Sequence, residues 1–114
     1  VVVMAMGLDS AKEEMENYCK IYTKITSFKS ADDIKTFKPL KSQCHALGHS
    51  LGIEVHEKPI LTKKTSIQDN MILAIEPALY NKNYGIRIED TFLVKNNKLI
   101  NLSKFPKHLI IIKK

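Results

Sequence analysis

The chain has no tryptophan, only four glycines and four prolines, and no apolar run long enough to cross a bilayer. A membrane-spanning helix needs about 20 apolar residues, whereas the apolar start at residues 1–6 is far shorter and lacks the basic flank of a signal peptide. The low glycine and proline content argues against a disordered chain. We therefore expect one globular domain of 114 residues, cytoplasmic and without a membrane partner.

Cysteine and arginine are also scarce. The two cysteines, Cys19 and Cys44, suit a reducing compartment and lack the spacing of a zinc finger, so we interpret both as structural thiols. Arg87 is the one arginine among 18 basic side chains. Arginine is a planar, bidentate donor, and its use at this one position suggests a specific role. A single arginine can also occur there by chance.

The net charge of +6 raises the possibility of nucleic-acid binding. The lysines are scattered along the chain, however, and no basic run is interleaved with aromatics. This distribution is more typical of a solvated surface, and we expect no nucleic-acid partner. A basic nucleic-acid-binding domain remains a rival hypothesis.

Helical patterns come first and strand patterns follow, which predicts an α+β fold with two N-terminal helices packed on an antiparallel sheet. A buried strand is expected at residues 1–6. Asp9 or Ser10, with Glu13, is expected to cap a helix at residues 11–28, whose apolar stripe comprises Met15, Tyr18, Cys19, Tyr22 and Ile25. Ser30 is expected to cap a short helix at residues 31–37.

The strand patterns occupy the second half of the chain. Residues 53–56 alternate in polarity and predict a strand with Ile53 and Val55 on one face and Glu54 and His56 on the other. Further strands are predicted at residues 71–79, 84–95 and 99–100. Asn70 and the pair Asn96-Asn97 are expected in turns between strands.

Two of these strands predict a hairpin centred on Lys82-Asn83. In that register residue 78 faces 87 and Glu76 faces Glu89, with side chains roughly 5 Å apart. Two carboxylates so close repel unless a proton or a cation lies between them. A metal ion is one solution, and an ion pair with Arg87 is another.

His49 adds an imidazole to the carboxylates, and His56 follows seven residues later as a further ligand or proton donor. Histidine and carboxylates without a thiolate suit Mn, Fe, Co or Zn better than a structural zinc site. Alternative interpretations apply elsewhere. His45 alone is more often structural, and His108 is expected on the surface. Glu54 and Glu57 are expected to face solvent.

Three separated motifs in this order resemble metallopeptidase family M24, whose members include creatinase, prolidase and methionine aminopeptidase. Residues 45–57 resemble the family pattern H-x-x-G-H-x-x-G-x-x-V-H-E/D, residues 70–80 resemble G-M-x-x-x-I-E-P-G-x-Y, and residues 85–90 match G-x-R-I-E-D. The branch most similar is that of Xaa-Pro dipeptidases and aminopeptidases. The resemblance implies the C-terminal half of a pita-bread catalytic domain.

The resemblance also implies residue roles. His49 and Glu76 would ligate one divalent metal, Glu89 would bridge two, and Glu76 is also a candidate proton shuttle. His56 and His45 would contact the substrate and stabilise the tetrahedral intermediate, with Arg87 beside them and Tyr80 nearby. The implied reaction is hydrolysis of the bond between an N-terminal residue and proline by a water activated by two metals, of Mn, Co, Zn or Fe type.

The sequence departs from the family pattern in two ways. Ser50, Asn70 and Ala78 stand where glycine is common. More importantly, two aspartate ligands of the family belong to its N-terminal half, and residues 1–7 resemble the stretch after the second of them. We therefore expect a second metal site that is incomplete in this chain.

Two expectations about partners follow. The chain should associate with a missing N-terminal half or with a second copy, as a homo-oligomer such as a dimer, because a half sheet exposes an edge and an apolar face. The alternative function is a non-catalytic module that uses the same fold to bind peptides or proteins.

Overall fold

A computed structural model describes residues 2–7, 12–25, 27–39 and 42–110. The elements in chain order are β1 (Val2–Gly7), α1 (Lys12–Ile25), α2 (Ala31–Thr36), β2 (Gly48–Ser50), β3 (Glu57–Ile60), β4 (Ile72–Ile75), β5 (Ala78–Tyr80), β6 (Tyr84–Lys95) and β7 (Lys98–Asn101). The predicted α+β class, with two helices and an antiparallel sheet, is confirmed.

Strand β6 is the centre of the sheet. Its twelve residues pair along one edge with β1 and then β7, and along the other edge with β5 and then β4. Strands β2 and β3 extend the sheet beyond β4, so the main path runs β1-β6-β4-β2-β3 and all pairs are antiparallel. Since both edges of β6 are hydrogen-bonded, its backbone is held along nearly its whole length.

The even-numbered residues of β6 face the core, and the odd-numbered residues face the other side of the sheet. Two apolar clusters lie on the core side. One surrounds Leu73, Ile75 and Phe92 beneath α2, and the other joins Ile86 and Ile88 to Met15 and Cys19 of α1. The cores therefore lie between the sheet and the helices, and both described helices lie on that one side of the sheet.

The helix predictions are confirmed with adjusted ends. Helix α1 ends at Ile25 rather than at Phe28, because Phe28 turns into the core beneath α2 and is 7% exposed. Ser30 and Asp33 form the cap of α2, and the Asp33 carboxylate accepts a hydrogen bond from the Ser30 amide. The predicted cap at Asp9 or Ser10 lies outside the described residues, as do the side chains of β1, Tyr22 and Ile25.

Two strand predictions are wrong in part. Residues 51–56 form a loop between β2 and β3 rather than a strand, and Ile53 and Val55 are 104% and 72% exposed. Alternating polarity predicts a strand only where one face is packed, and here neither face packs on the core. The single strand predicted at residues 71–79 is divided into β4 and β5 at Glu76-Pro77, because proline has no amide hydrogen for the ladder.

The turn predictions are confirmed. Asn70, Asn96 and Asn97 adopt positive φ angles of 70°, 50° and 62°, a conformation that asparagine tolerates better than most residues. His108 is exposed, as expected. Within the described part of the chain, the helices fall short of the length and apolarity that crossing a membrane would require.

Candidate metal centre

The β5-β6 hairpin has the predicted register. Ala78 pairs with Arg87 and Tyr80 with Gly85, and the same register continues beyond the break, where Ile75 pairs with Asp90. Glu76 lies in the break itself, opposite Glu89. The interruption matters because a residue between two short strands is freed from the ladder while both of its neighbours remain anchored.

His49 reaches the same face from β2. It pairs with Ala74, which pairs in turn with Thr91 of β6, so His49 lies on the odd-numbered side of β6. Gly48 makes this approach possible, because a Cβ at that position would lie 1.9 Å from the carbonyl oxygen of Ala74. The backbone amide of Glu76 also donates to the carbonyl of Leu47, which ties the two segments together.

Three charged or titratable side chains meet on this face. The Nε2 atom of His49 lies 3.5 Å from Oε1 of Glu76, and a terminal nitrogen of Arg87 lies 3.4 Å from Oε2 of the same carboxylate. The Nδ1 atom of His49 lies 2.9 Å from the carbonyl oxygen of Ser50, which can only accept, so Nδ1 is the donor and Nε2, on the side of Glu76, is the nitrogen available to a metal ion. This is the tautomer that a metal-ligating histidine needs.

The other two predicted histidines lie at the rim. The ring centroid of His56 is 4.5 Å from that of His49, although His56 itself is exposed in the 51–56 loop. His45 has Nε2 3.2 Å from the hydroxyl of Tyr80 and Nδ1 2.7 Å from the carbonyl oxygen of Ala46. His45, His49, His56, Glu76 and Arg87 line one cavity of about 480 Å³.

Glu89 is less closely associated with this group. It is half-buried on the same side of β6 as Arg87, but it does not line the cavity. Among residues 2–7, 12–25, 27–39 and 42–110, no three histidine, cysteine, aspartate or glutamate side chains converge closely enough to hold a metal ion. The donor types therefore fit a divalent metal, with His49 and Glu76 adjacent, but the number of converging donors falls short of a complete site.

Asp90 has a different environment from its neighbours in the motif, and sequence reasoning missed it. Its side chain faces the core side, where it is 6% exposed and pairs with the ammonium group of Lys107. It also accepts a hydrogen bond from Asn101 at 3.0 Å. The alternation of β6 could have revealed this placement, because Asp90 shares its parity with Ile86 and Ile88.

Cys19 and Cys44 are both free thiols. Cys19 is buried in the core beneath α1, and this burial raises the pKa of its thiol. Cys44, by contrast, is exposed. The packing expected of a structural thiol is therefore observed for Cys19 and not for Cys44.

Solved structures with a similar fold are prolidases and dipeptidases. The chain superposes on a dipeptidase from Pyrococcus horikoshii with a TM-score of 0.68 and 25% identity, covering 92% of this chain and 34% of that one. It superposes on a prolidase from Pyrococcus furiosus with a TM-score of 0.62 and 28% identity, covering 82% and 33%. The match to these pita-bread enzymes confirms the predicted fold.

Curated relatives agree with the structures. An Xaa-Pro dipeptidase from Pyrococcus horikoshii is 42% identical over 69 residues, or 58% of this chain and 20% of that protein. Human Xaa-Pro aminopeptidase 3 is 30% identical over 94 residues, or 71% of this chain and 18% of that protein. The matches thus cover about a fifth of the length of these relatives.

A family model describes a larger share of the chain than the Pyrococcus horikoshii relative does. The model of metallopeptidase family M24 matches residues 3–96, which include all of β1 but its first residue, both helices and every residue that lines the cavity. The resemblance inferred from three motifs is confirmed. The chain belongs to metallopeptidase family M24.

Proposed function

We propose that this chain forms the histidine–glutamate side of a metal-dependent peptidase site that hydrolyses the bond between an N-terminal residue and proline. The observation that carries the proposal is the approach of His49 Nε2 to Glu76 Oε1, 3.5 Å apart in an open cavity. The names of the relatives, Xaa-Pro dipeptidase and Xaa-Pro aminopeptidase, support the substrate class.

His49, Glu76 and Glu89 are the proposed metal ligands, with two divalent ions of Mn, Co, Zn or Fe type in the complete site. When bound, such a pair supplies a Lewis acid for the scissile carbonyl and an activated water. The chain's contribution is to fix the donors. The Ser50 carbonyl sets the tautomer of His49, and the break at Glu76-Pro77 presents a carboxylate between two anchored strands.

The remaining residues would act on the substrate. Arg87 lines the cavity, and its side chain is 29% exposed although one terminal nitrogen contacts Glu76. The exposed part of its guanidinium suits a carboxylate or carbonyl of a short peptide. His56 and His45, at the rim, are placed to donate to a peptide carbonyl, and Glu76 is the proposed proton shuttle.

The described residues supply too few converging donors for two metals. We propose that the other ligands come from polypeptide that is not among residues 1–114, and that this polypeptide covers the face of the sheet opposite the described helices. The solved relatives are about three times as long as the matched region, which leaves ample length for such a part.

Calorimetry with Mn²⁺ tests the proposal at the level of binding. The chain alone should bind Mn²⁺ weakly, and Glu76→Gln should abolish the heat of binding. The matched control is Glu54→Gln, since Glu54 is an exposed glutamate in the 51–56 loop that contributes no proposed ligand. Equal binding by both variants would contradict the assignment of Glu76.

Activity requires the remaining polypeptide. Co-expression with a segment that supplies the two aspartate ligands should restore Mn²⁺-dependent cleavage of dipeptides with proline in the second position. His49→Ala in this chain should abolish that cleavage. The proposal fails if the assembled complex binds no metal.

One observation favours the alternative of a peptide-binding module without catalysis. Arg87 already neutralises Glu76, so the charge of that carboxylate is balanced without a metal. If this alternative is correct, a peptide with proline second should bind equally well with and without Mn²⁺, and Glu89→Ala should leave its affinity unchanged.

A further inference from the structure

The loop of residues 51–56 joins β2 to β3 beside the cavity. Its base is the pair Ser50 and Glu57, the last residue of β2 and the first residue of β3. The pairing is irregular here, because the neighbouring pair joins His49 to Ile60. The loop exposes Ile53 and places His56 over His49, so its conformation decides where His56 lies.

The Glu57 side chain is partly exposed, as the sequence led us to expect in part, and it folds back over this loop. Its Oε1 atom accepts a hydrogen bond from the backbone amide of Glu54 at 3.0 Å. Both carboxylate oxygens also lie against Gly52, where an added Cβ would be 2.7 and 2.8 Å from them. A glycine is therefore what allows the carboxylate to reach the amide inside the loop.

His56 has little else to hold it. Its ring contacts the ring of His49 but makes no hydrogen bond to any of the residues that the structure describes. Backbone hydrogen bonds from Leu51 to Ile72 and from Gly52 to Glu54 hold the start of the loop, but residues 53–56 are exposed, and ordering them costs entropy. The charge-assisted hydrogen bond that the Glu57 carboxylate accepts from the Glu54 amide offsets part of that cost.

We infer that Glu57 is a positioning residue, which holds the 51–56 loop closed so that His56 stays over His49; the inference rests on the proposed function of this site. The carboxylate acts through the backbone of the loop and does not contact the substrate or a metal. Gly52 is needed as well, because the absence of a side chain at that position leaves room for the Glu57 carboxylate.

Nuclear magnetic resonance on the full chain, without metal, tests the geometry. The wild type should show nuclear Overhauser effects between the ring protons of His49 and His56. Glu57→Ala should remove them, and Glu57→Gln should keep them because its amide oxygen still accepts the Glu54 amide. The control Glu54→Ala removes a neighbouring carboxylate but keeps the backbone donor, so it should also retain them.

Gly52→Ala disrupts the same contact by changing the loop residue instead of the carboxylate. Its methyl group would displace only the flexible end of the Glu57 side chain, so the fold should persist while the effects between the two rings disappear. Unchanged chemical shifts of the Leu73 and Ile88 methyl groups would show that the core is intact. Persistence of the ring contact in both Glu57→Ala and Gly52→Ala would overturn the inference.

Adding substoichiometric Mn²⁺ links the geometry to the site. In the wild type it should broaden the ring resonances of both His49 and His56 strongly, whereas in Glu57→Ala it should broaden those of His56 less than in the wild type. Equal broadening in the two proteins would overturn the inference. Absence of broadening at His49 in the wild type would count against the proposed metal site, while the measurement without metal would still decide the role of Glu57.

Discussion

On one side of strand β6 the side chains of Ile86, Ile88 and Val94 are at most 3% exposed, whereas on the other side Arg87 and Glu89 are only half-buried. The same twelve residues therefore build two different surfaces. The core side is completed within the chain by α1 and α2. The site side carries the charged residues and has no layer of helices over it among the residues that the structure describes, so we expect its side chains to contribute little to stability.

The contrast predicts the largest loss of stability on the core side. Ile86→Ala should lower the free energy of unfolding by about 3 kcal/mol, because it leaves a cavity among Met15, Cys19 and Ile88. Urea unfolding measures the loss. The control Ile53→Ala, at a fully exposed position, should change the free energy by less than about 0.5 kcal/mol. Similar losses in the two variants would contradict the contrast.

Asp90 tests whether the contrast holds for charged residues. Asp90→Asn should lower the free energy of unfolding by about 2 kcal/mol, since it leaves the ammonium group of Lys107 without its partner. The value is below that for a fully buried pair because the Lys107 side chain is 24% exposed. Loss of less than about 0.5 kcal/mol, measured by urea unfolding, would show that the pair does not form in solution.

Asp33, in the first turn of α2, makes a smaller contribution to the stability of the fold, and this contribution depends on pH. The hydrogen bond from the Lys29 amide, assisted by that from Ser30, lowers the pKa of the Asp33 carboxyl. A lowered folded-state pKa stabilises the fold above the ordinary pKa of aspartate, and this stabilisation is lost as the pH falls below about 4.

Asp33→Asn should therefore cost about 1 kcal/mol at pH 6 and much less near pH 2. Urea unfolding at the two pH values measures the difference. The control is Asp32→Asn in the same first turn, whose carboxylate does not accept the amides of Lys29 and Ser30. A cost for Asp33→Asn that does not change with pH would be inconsistent with the cap.

Glu89 should have the smallest effect on stability, although it adjoins Asp90. Within residues 42–110 its carboxylate has no ion-pair or hydrogen-bond partner, so Glu89→Gln should change the free energy of unfolding by less than about 0.5 kcal/mol. The same variant should weaken Mn²⁺ binding in the assembled site. If Glu89→Gln lowered the free energy of unfolding as much as Asp90→Asn, the two faces would contribute equally to stability, which would contradict the comparison.

Much of the fold could be predicted from sequence patterns because those patterns report local physics. The alternation at residues 84–95 matches β6 from end to end, and the asparagines at 70, 96 and 97 occupy the turns expected of them. The hairpin register followed from the turn at Lys82-Asn83, since antiparallel pairing propagates from the turn.

The 51–56 loop shows where such patterns fail. Its alternation is as regular as that of a strand, but no neighbouring strand or core covers it, and the Glu57 side chain decides its conformation instead.

By itself, the sequence determined the family, the α+β class and the residue types of the site, because motifs, strand periodicity and turn chemistry are local properties. Only the tertiary structure decided which of these residues meet. It placed His49 against Glu76, paired Asp90 with Lys107 behind the site and left Glu89 apart, because contacts between distant segments depend on strand pairing and packing.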